Sequence, residues 1–263
     1  MRFRLLGIPV QIQPWFWLTS ALLGLPALTS GHVAAFFLWI VAIFIAVVVH
    51  ELGHAVAILR HGGRPDITLH ALGGTTSWGG VAYLGRGQRA FISFAGPLAG
   101  FLLAALLLGV ALLFPGLVTK VPPLVGSGLD TLFWVNVFLG AINLAPVLPF
   151  DGGHILEAAL GPARADWTVG ISQIAGAIIT MGFLIMQATW GALLFGMSTF
   201  QSFQQHPGVL RRLWLKMRLR RLENESASIR RSVIRDAERR AGSPKLRIIQ
   251  GGASEPKDRR DLN

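Results

Sequence analysis

The chain alternates between long apolar stretches and short polar segments, and this pattern predicts a bundle of membrane-spanning helices. Four stretches contain no Asp, Glu, Lys or Arg: residues 5–50, 90–119, 131–150 and 167–210. A span needs roughly 20 apolar residues, so these stretches hold about two, one, one and two spans. Because irregular backbone facing lipid would lack hydrogen-bond partners, the spans are expected to be helical. The sequence therefore predicts an α-helical integral membrane protein with six transmembrane helices.

The predicted spans are separated by turns and by one polar segment. They cover about residues 14–30, 33–59, 90–114, 130–146, 167–187 and 190–203. Between the second and third spans, residues 67–70 and 75–78 have the composition of strands. Residues 10–12 show a short alternation of apolar and polar side chains, which is also typical of a strand. We therefore expect a small membrane-associated β element, and a loop over residues 115–128.

The basic residues are concentrated towards the end of the chain. Residues 206–263 hold 16 of the 24 Lys and Arg residues and 7 of the 13 Asp and Glu residues. This composition divides the chain into a membrane core, residues 1–206, and a basic tail, residues 207–263. Positively charged segments stay in the cytoplasm, so six spans with cytoplasmic N- and C-termini are expected. The expected location is a prokaryotic plasma membrane that the chain crosses several times.

The tail begins with an amphipathic pattern. Leu210, Leu213, Trp214 and Met217 share one helical face among arginines, which predicts a basic helix lying on the membrane surface. A charged helix is expected to continue through residues 224–240, followed by disorder over 241–263. Besides setting topology, the charge favours anionic lipid headgroups. Nucleic-acid binding is not expected, because the tail has no known motif for it and is tethered to a membrane.

The second predicted span ends with His50-Glu51-Leu52-Gly53-His54. Positions four residues apart lie on one helical face, so His50 and His54 are predicted to bind one zinc ion. Glu51 is placed to take a proton from a water at the metal. The chain has no cysteine, so a transition metal must use histidine and carboxylate ligands. The alternative is a polar cluster that only holds helices together.

A third ligand is needed, because catalytic zinc sites usually have three protein ligands. Asp151 is the candidate: it follows two prolines and precedes Gly152-Gly153 at the end of the fourth predicted span. Broken backbone at membrane depth is tolerated where it is buried or lines a polar cavity. The alternative role of Asp151 is to cap the helix that begins near His154. His154 itself could reach the site or a substrate carbonyl.

The His-Glu-Leu-Gly-His motif and the later Asn143-x-x-Pro-x-x-Pro-Phe-Asp-Gly-Gly motif together resemble the site-2 protease family of intramembrane zinc metalloproteases, peptidase family M50. The resemblance covers residues 7–203 and is to a minimal form without PDZ or CBS domains. It implies one Zn²⁺ per chain, held by His50, His54 and Asp151. It also implies that Glu51 is the catalytic base and that Asn143 lies near the substrate or the developing oxyanion.

The implied activity is hydrolysis of transmembrane protein substrates in regulated intramembrane proteolysis. Residues 69–83 are similar to the family's membrane-associated sheet, where a partly unwound substrate could add as a strand. A non-proteolytic zinc-binding transporter or scaffold is the alternative, although a transporter would favour repeated halves. A membrane-anchored interaction protein acting through its tail is another. The sequence does not name the substrate, the cleaved bond or the oligomeric state.

Overall fold

The computed structural model describes residues 1–80 and 84–240. Most of these residues are helical, and four short strands form one sheet. The helices are α1 (Pro14–Thr29), α2 (Val33–Arg60), α3 (Arg86–Leu113), α4 (Pro115–Val118), α5 (Pro123–Asn143), α6 (Asp151–Leu160), α7 (Ala165–Ile185), α8 (Thr189–Gln205) and α9 (Val209–Arg240). The strands are β1 (Arg2–Leu5), β2 (Ile8–Ile12), β3 (Arg64–His70) and β4 (Gly73–Gly79).

Four segments of the described chain are long and apolar enough to cross a membrane. They are α2, α3, α5 and Pro162–Ile185, which contains α7. The prediction of a helical membrane protein is therefore confirmed. Helices α1 and α8 occupy the other two predicted spans but have only 16 and 17 residues. At 1.5 Å per residue they are shorter than the hydrocarbon core of about 30 Å, so the six-span count stays a prediction.

The four strands form a sheet in the order β1-β2-β3-β4. β1 and β2 are antiparallel, β2 and β3 are parallel with Val10 opposite Ile67, and β3 and β4 are antiparallel. The predicted strands near residues 10–12, 67–70 and 75–78 are confirmed, whereas β1 was not predicted. The end of the predicted β segment, residues 81–83, lies outside the described residues.

The sheet packs against α2 through alternate side chains. Val10, Ile67 and Leu69 are almost fully buried in a cluster that includes Val47 and Ala55 of α2. Burial of every second residue is the expected behaviour of a strand with one face on a core. This packing lays β3 and β4 beside the half of α2 that carries the His-Glu-x-x-His motif.

Two predicted boundaries around α5 were wrong. The segment 115–128 is not all loop, because it contains α4 and the start of α5 at Pro123. Proline suits the first turn of a helix, where its missing N–H would have no intrahelical partner. α5 ends at Asn143 rather than at residue 146. Pro146 disfavours helical backbone at the residue before it, which explains the earlier end.

The tail helix α9 is continuous to Arg240, as the charged-helix prediction required. The chain divides into two compact units, Met1–Leu213 and a second that begins at Trp214. Val209 and Leu213 belong to the first unit because they are buried with Val169 of α7. The division into a membrane core, residues 1–206, and a basic tail, residues 207–263, stays a prediction. The predicted disorder of residues 241–263 lies outside the described residues.

Candidate metal centre

The first half of the site lies on α2, the most apolar of the long helices. His50 and His54 are one helical turn apart, and their Nε2 atoms lie 3.2 Å from each other. Both rings and the Glu51 side chain are buried, with 4 to 8% of each residue exposed. Such groups in an apolar helix are costly to bury unless they are paired or functional.

Asp151 brings the third ligand atom to the same place. Its Oδ2 lies 3.0 Å from His50 Nε2 and 3.4 Å from His54 Nε2. These three residues are a group within the described chain whose ligand atoms all lie within 4.8 Å of one another. Asp151 is the first residue of α6 and makes no capping hydrogen bond, since the cap position is Phe150. The geometry therefore favours the ligand role of Asp151 over the capping role.

The segment between α5 and α6 fixes where Asp151 points. The Leu148 N–H donates to Ser172 Oγ of α7 at 2.8 Å, and the Phe150 N–H donates to the Val147 carbonyl at 2.8 Å. Gly152 and Gly153 pack directly on this segment: a Cβ at Gly152 would lie 2.2 Å from the Leu144 carbonyl oxygen. Larger residues would push α6 away, so the two glycines are needed for this close approach.

Helix α3 packs against the His54 ring and fixes its orientation. His54 Nδ1 donates to the Ile92 carbonyl at 2.7 Å, which leaves Nε2 free to face a metal. Such a bond on the second ring nitrogen is typical of metal-binding histidines. Gly96 leaves room for the ring, because a Cβ there would lie 2.2 Å from His54 Nε2. Among the described residues, His50 Nδ1 has no hydrogen-bond partner.

Glu51 is held by strand β4, and the sequence did not predict this contact. Thr76 Oγ1 donates to Glu51 Oε2 at 2.6 Å and lies 3.2 Å from the Glu51 carbonyl oxygen. A Cβ at Gly74 would lie 2.5 Å from Glu51 Oε1, so only glycine fits beneath this carboxylate. The two β4 residues therefore fix the position of the carboxyl group.

The three candidate ligands, Glu51 and Thr76 line one cavity of about 510 Å³. Asn143, at the end of α5, is also in its wall, and its Nδ2 donates to the Leu139 carbonyl at 2.9 Å. His154 lines the cavity too, but its Nδ1 lies 3.4 Å from Glu157 Oε2 and it is not one of the converging ligands. The cavity thus brings together all five predicted site residues: His50, Glu51, His54, Asn143 and Asp151.

The site combines two imidazoles, one carboxylate and a separate buried glutamate among apolar helices. A membrane-embedded metallohydrolase needs this set of side chains. The family model of peptidase family M50 matches residues 124–188 of the chain. That match includes Asn143 and Asp151. The two histidines on α2 lie outside it.

Curated relatives extend the similarity. The chain is 32% identical over 160 residues to the "Zinc metalloprotease MJ0392" of Methanocaldococcus jannaschii, covering 60% of this chain and 44% of the relative. It is 34% identical over 186 residues to the "Putative zinc metalloprotease Rip3" of Mycobacterium tuberculosis, covering 63% of this chain and 46% of the relative. The chain thus spans about half the length of the curated relatives it matches.

A solved structure shows the same architecture. The site-2 protease from Methanocaldococcus jannaschii superimposes with a TM-score of 0.57 at 26% identity. The match covers 78% of this chain and 94% of that one. Because it covers nearly the whole of the solved chain, the likeness concerns the membrane core as a whole rather than one motif.

Proposed function

We propose that the chain is an intramembrane zinc metalloprotease that hydrolyses peptide bonds in or next to transmembrane segments of protein substrates. The observation that carries this proposal is the convergence of His50, His54 and Asp151 beside the buried carboxylate of Glu51. The names of the relatives and the matched site-2 protease agree with it.

The three ligand atoms fit a zinc ion. Their separations are 3.0, 3.2 and 3.4 Å. Tetrahedral zinc with ligands at 2.0–2.1 Å separates its ligand atoms by about 3.3 Å. One ion per chain would be held by His50, His54 and Asp151. When bound, zinc supplies Lewis acidity, which makes water a nucleophile near neutral pH and polarises a carbonyl.

Glu51 is the proposed proton carrier. Its carboxylate takes a proton from the attacking water and gives it to the leaving nitrogen of the cleaved peptide. Thr76 Oγ1 donates to Oε2 of this carboxylate, and Oε1 lies next to Gly74 in the cavity lining. Asn143 would orient the substrate carbonyl, because its amide lies in the cavity wall and keeps one N–H beyond its bond to Leu139.

The substrate would be bound as an extended strand. β4 is the last strand in the order of the described sheet, and Gly73, Gly74, Thr75, Thr76 and Trp78 line the cavity. An extended peptide adds to a sheet edge through main-chain hydrogen bonds. A helical substrate must unwind first, because helical carbonyls already accept hydrogen bonds.

The membrane arrangement completes the proposal. The short helices α1 and α8 would cross together with the four longer spans, giving six spans with both termini in the cytoplasm of a prokaryotic cell. The basic tail would lie on the side of the positively charged loops and could contact anionic lipid. Locally thinned bilayer accommodates spans shorter than average.

The decisive experiment is co-reconstitution of the chain with single-span substrate proteins, comparing the wild type with Glu51→Gln. Loss of general acid–base catalysis costs about 10²- to 10⁴-fold, so Glu51→Gln should abolish cleavage. Zinc content should stay at one per chain, because the ligands are untouched. Glu157→Gln, at a half-exposed carboxylate outside the cavity lining, is the matched control and should cleave normally. Cleavage by Glu51→Gln at the normal rate would favour a zinc-binding transporter or scaffold.

A further inference from the structure

Beyond Leu213, helix α9 exposes a regular row of apolar side chains. From Leu215 to Val233 the steps alternate between four and three residues, which is the 3.5-residue repeat of a coiled coil. The row, called here the heptad face, consists of Leu215, Leu219, Leu222, Ser226, Ile229 and Val233. Its apolar members are 42 to 62% exposed, so the heptad face is not covered by the described chain.

We propose that the heptad face packs against the same face of a second copy of this chain and makes the protein a homodimer. The paired tails would form a parallel two-stranded coiled coil. Leu215, Leu222 and Ile229 occupy the d positions of the repeat, and Leu219, Ser226 and Val233 occupy the a positions. A single polar residue at an a position, here Ser226, fixes register in coiled coils at some cost in stability.

The charges beside the heptad face support a second copy as the occupant. Arg218 and Glu225 hold g positions, whereas Glu223 and Arg230 hold e positions. In a parallel pair each g residue lies next to the e residue five positions later in the other chain. Arg218 would therefore meet Glu223 of the second copy, and Glu225 would meet Arg230. Both pairs are opposite in charge, and two-fold symmetry forms each of them twice.

A lipid surface fits the same face less well. Glu223 and Glu225 flank its middle, where anionic headgroups would repel them. A helix lying on a membrane also needs a broad apolar side. Between Leu219 and Val233, however, the exposed large apolar side chains all lie on the narrow a/d stripe that is typical of a coiled-coil contact.

Insertion into a membrane favours the parallel pair. All copies inserted with the same topology present their tails on the same side, so two neighbouring tails run in the same direction. Three heptads form only a marginal coiled coil in free solution. Tethering to one membrane raises the effective concentration of the second helix, which compensates for the short length.

The absence of cysteine from the sequence allows a direct test with single-cysteine variants of the full chain in liposomes. Ser226→Cys places a thiol on the heptad face, and Asn224→Cys places one on the opposite side of the same turn. Mild oxidation should give several-fold more disulfide-linked dimer for Ser226→Cys than for Asn224→Cys. Equal yields, or no dimer for either variant, would overturn the proposal.

Charge exchange tests the register. In the Ser226→Cys protein, Glu223→Arg places like charges opposite each other and should lower the crosslinked fraction several-fold. Adding Arg218→Glu should restore it. Failure of the double exchange to restore crosslinking would refute the parallel pairing.

Vesicle composition distinguishes a second copy from lipid. The chain is reconstituted at high and low density, in phosphatidylcholine with or without phosphatidylglycerol. We expect crosslinking of Ser226→Cys that depends on protein density and occurs in both lipids. The opposite result has two parts: the thiol does not crosslink at either density, and it is shielded from a soluble maleimide only in vesicles that contain phosphatidylglycerol. In that case lipid covers the heptad face and the dimer is rejected.

Discussion

Two regions of the membrane core bury polar side chains, and they do so differently. Around α2, the polar atoms of His50, His54 and Asp151 converge within 4.8 Å. Between α7 and α8, polar groups are spread along the helix contact, and some of them bond to backbone. Gln173 Nε2, for example, donates to the Ser202 carbonyl at 3.2 Å.

The difference teaches that burial of polarity does not by itself identify a site. In the α7–α8 pair, Thr168 Oγ1, Gln173 Oε1 and Thr199 Oγ1 have no hydrogen-bond partner among the described residues. They are neutral groups, whose burial costs far less than that of a carboxylate. Such residues commonly hold membrane helices together. Among the described residues, the group at α2 brings ligand atoms of three ionisable side chains to one point, an arrangement that suits a cation.

Removal of a ligand should have the largest effect. Asp151→Asn replaces a carboxylate by a weaker neutral ligand, so zinc affinity should fall by more than the roughly 10- to 100-fold caused by losing an outer-shell partner. Metal analysis of the purified protein should show clearly less than one zinc per chain, and substrate cleavage should be lost. Asp130→Asn, at an exposed position on α5, is the control and should retain both. Full zinc with Asp151→Asn would contradict its role as a ligand.

A methyl group added on α3, next to the ring of His54, should have the next largest effect. Gly96→Ala would place a Cβ 2.2 Å from His54 Nε2, so the imidazole ring must shift. Zinc affinity should therefore fall about 10- to 100-fold. Gly109→Ala on the same helix is a matched control, because a Cβ there meets nothing within 4 Å. Zinc competition with a chelator measures both. Equal affinities would show that the space beside Gly96 does not position His54.

The parts of this site that follow a local pattern were predictable from sequence. His50, Glu51 and His54 depend only on the helical repeat, which places residues four apart on one face. Asp151 could be proposed as a ligand, but the sequence could not decide between this role and helix capping. The direction of its side chain depends on the bend after Asn143 and on the hydrogen bond between Leu148 and Ser172. Sequence alone left its capping role open.

Other parts could not be predicted because they depend on tertiary register. Thr76 has no special sequence signal; it reaches Glu51 only because β3 and β4 pack beside α2. β1 did carry a signal, since Arg2, Phe3, Arg4 and Leu5 alternate polar and apolar, but four residues at a charged N-terminus do not suggest a partner strand. Its partner, β2, is defined only in the folded sheet.

The contact between β4 and Glu51 should matter less than the ligands. Thr76→Val removes the hydrogen bond to Glu51 Oε2, and bonds to charged groups contribute about 1.5–3 kcal/mol, so kcat should fall roughly tenfold or more. KM and zinc content should stay unchanged, because Thr76 would position the base without holding the metal. Thr76→Ser keeps the hydroxyl and should restore most of the rate. Equal losses in the Ser and Val variants would mean that Thr76 acts through packing alone.

The smallest effect is expected in the α7–α8 pair. Gln173→Leu removes a buried amide oxygen that has no partner among the described residues. It also removes the donor to the Ser202 carbonyl, but that oxygen keeps the His206 N–H at 3.0 Å. Replacing a poorly satisfied polar group by an apolar one of similar shape is nearly neutral, so Tm should change by no more than about 2–4 °C. Cleavage should stay within about twofold of wild type, as for substitutions outside a reaction centre. A loss of activity as large as that of Thr76→Val, with Tm unchanged, would place the polar groups of α7 and α8 in the reaction and remove the distinction between the two regions.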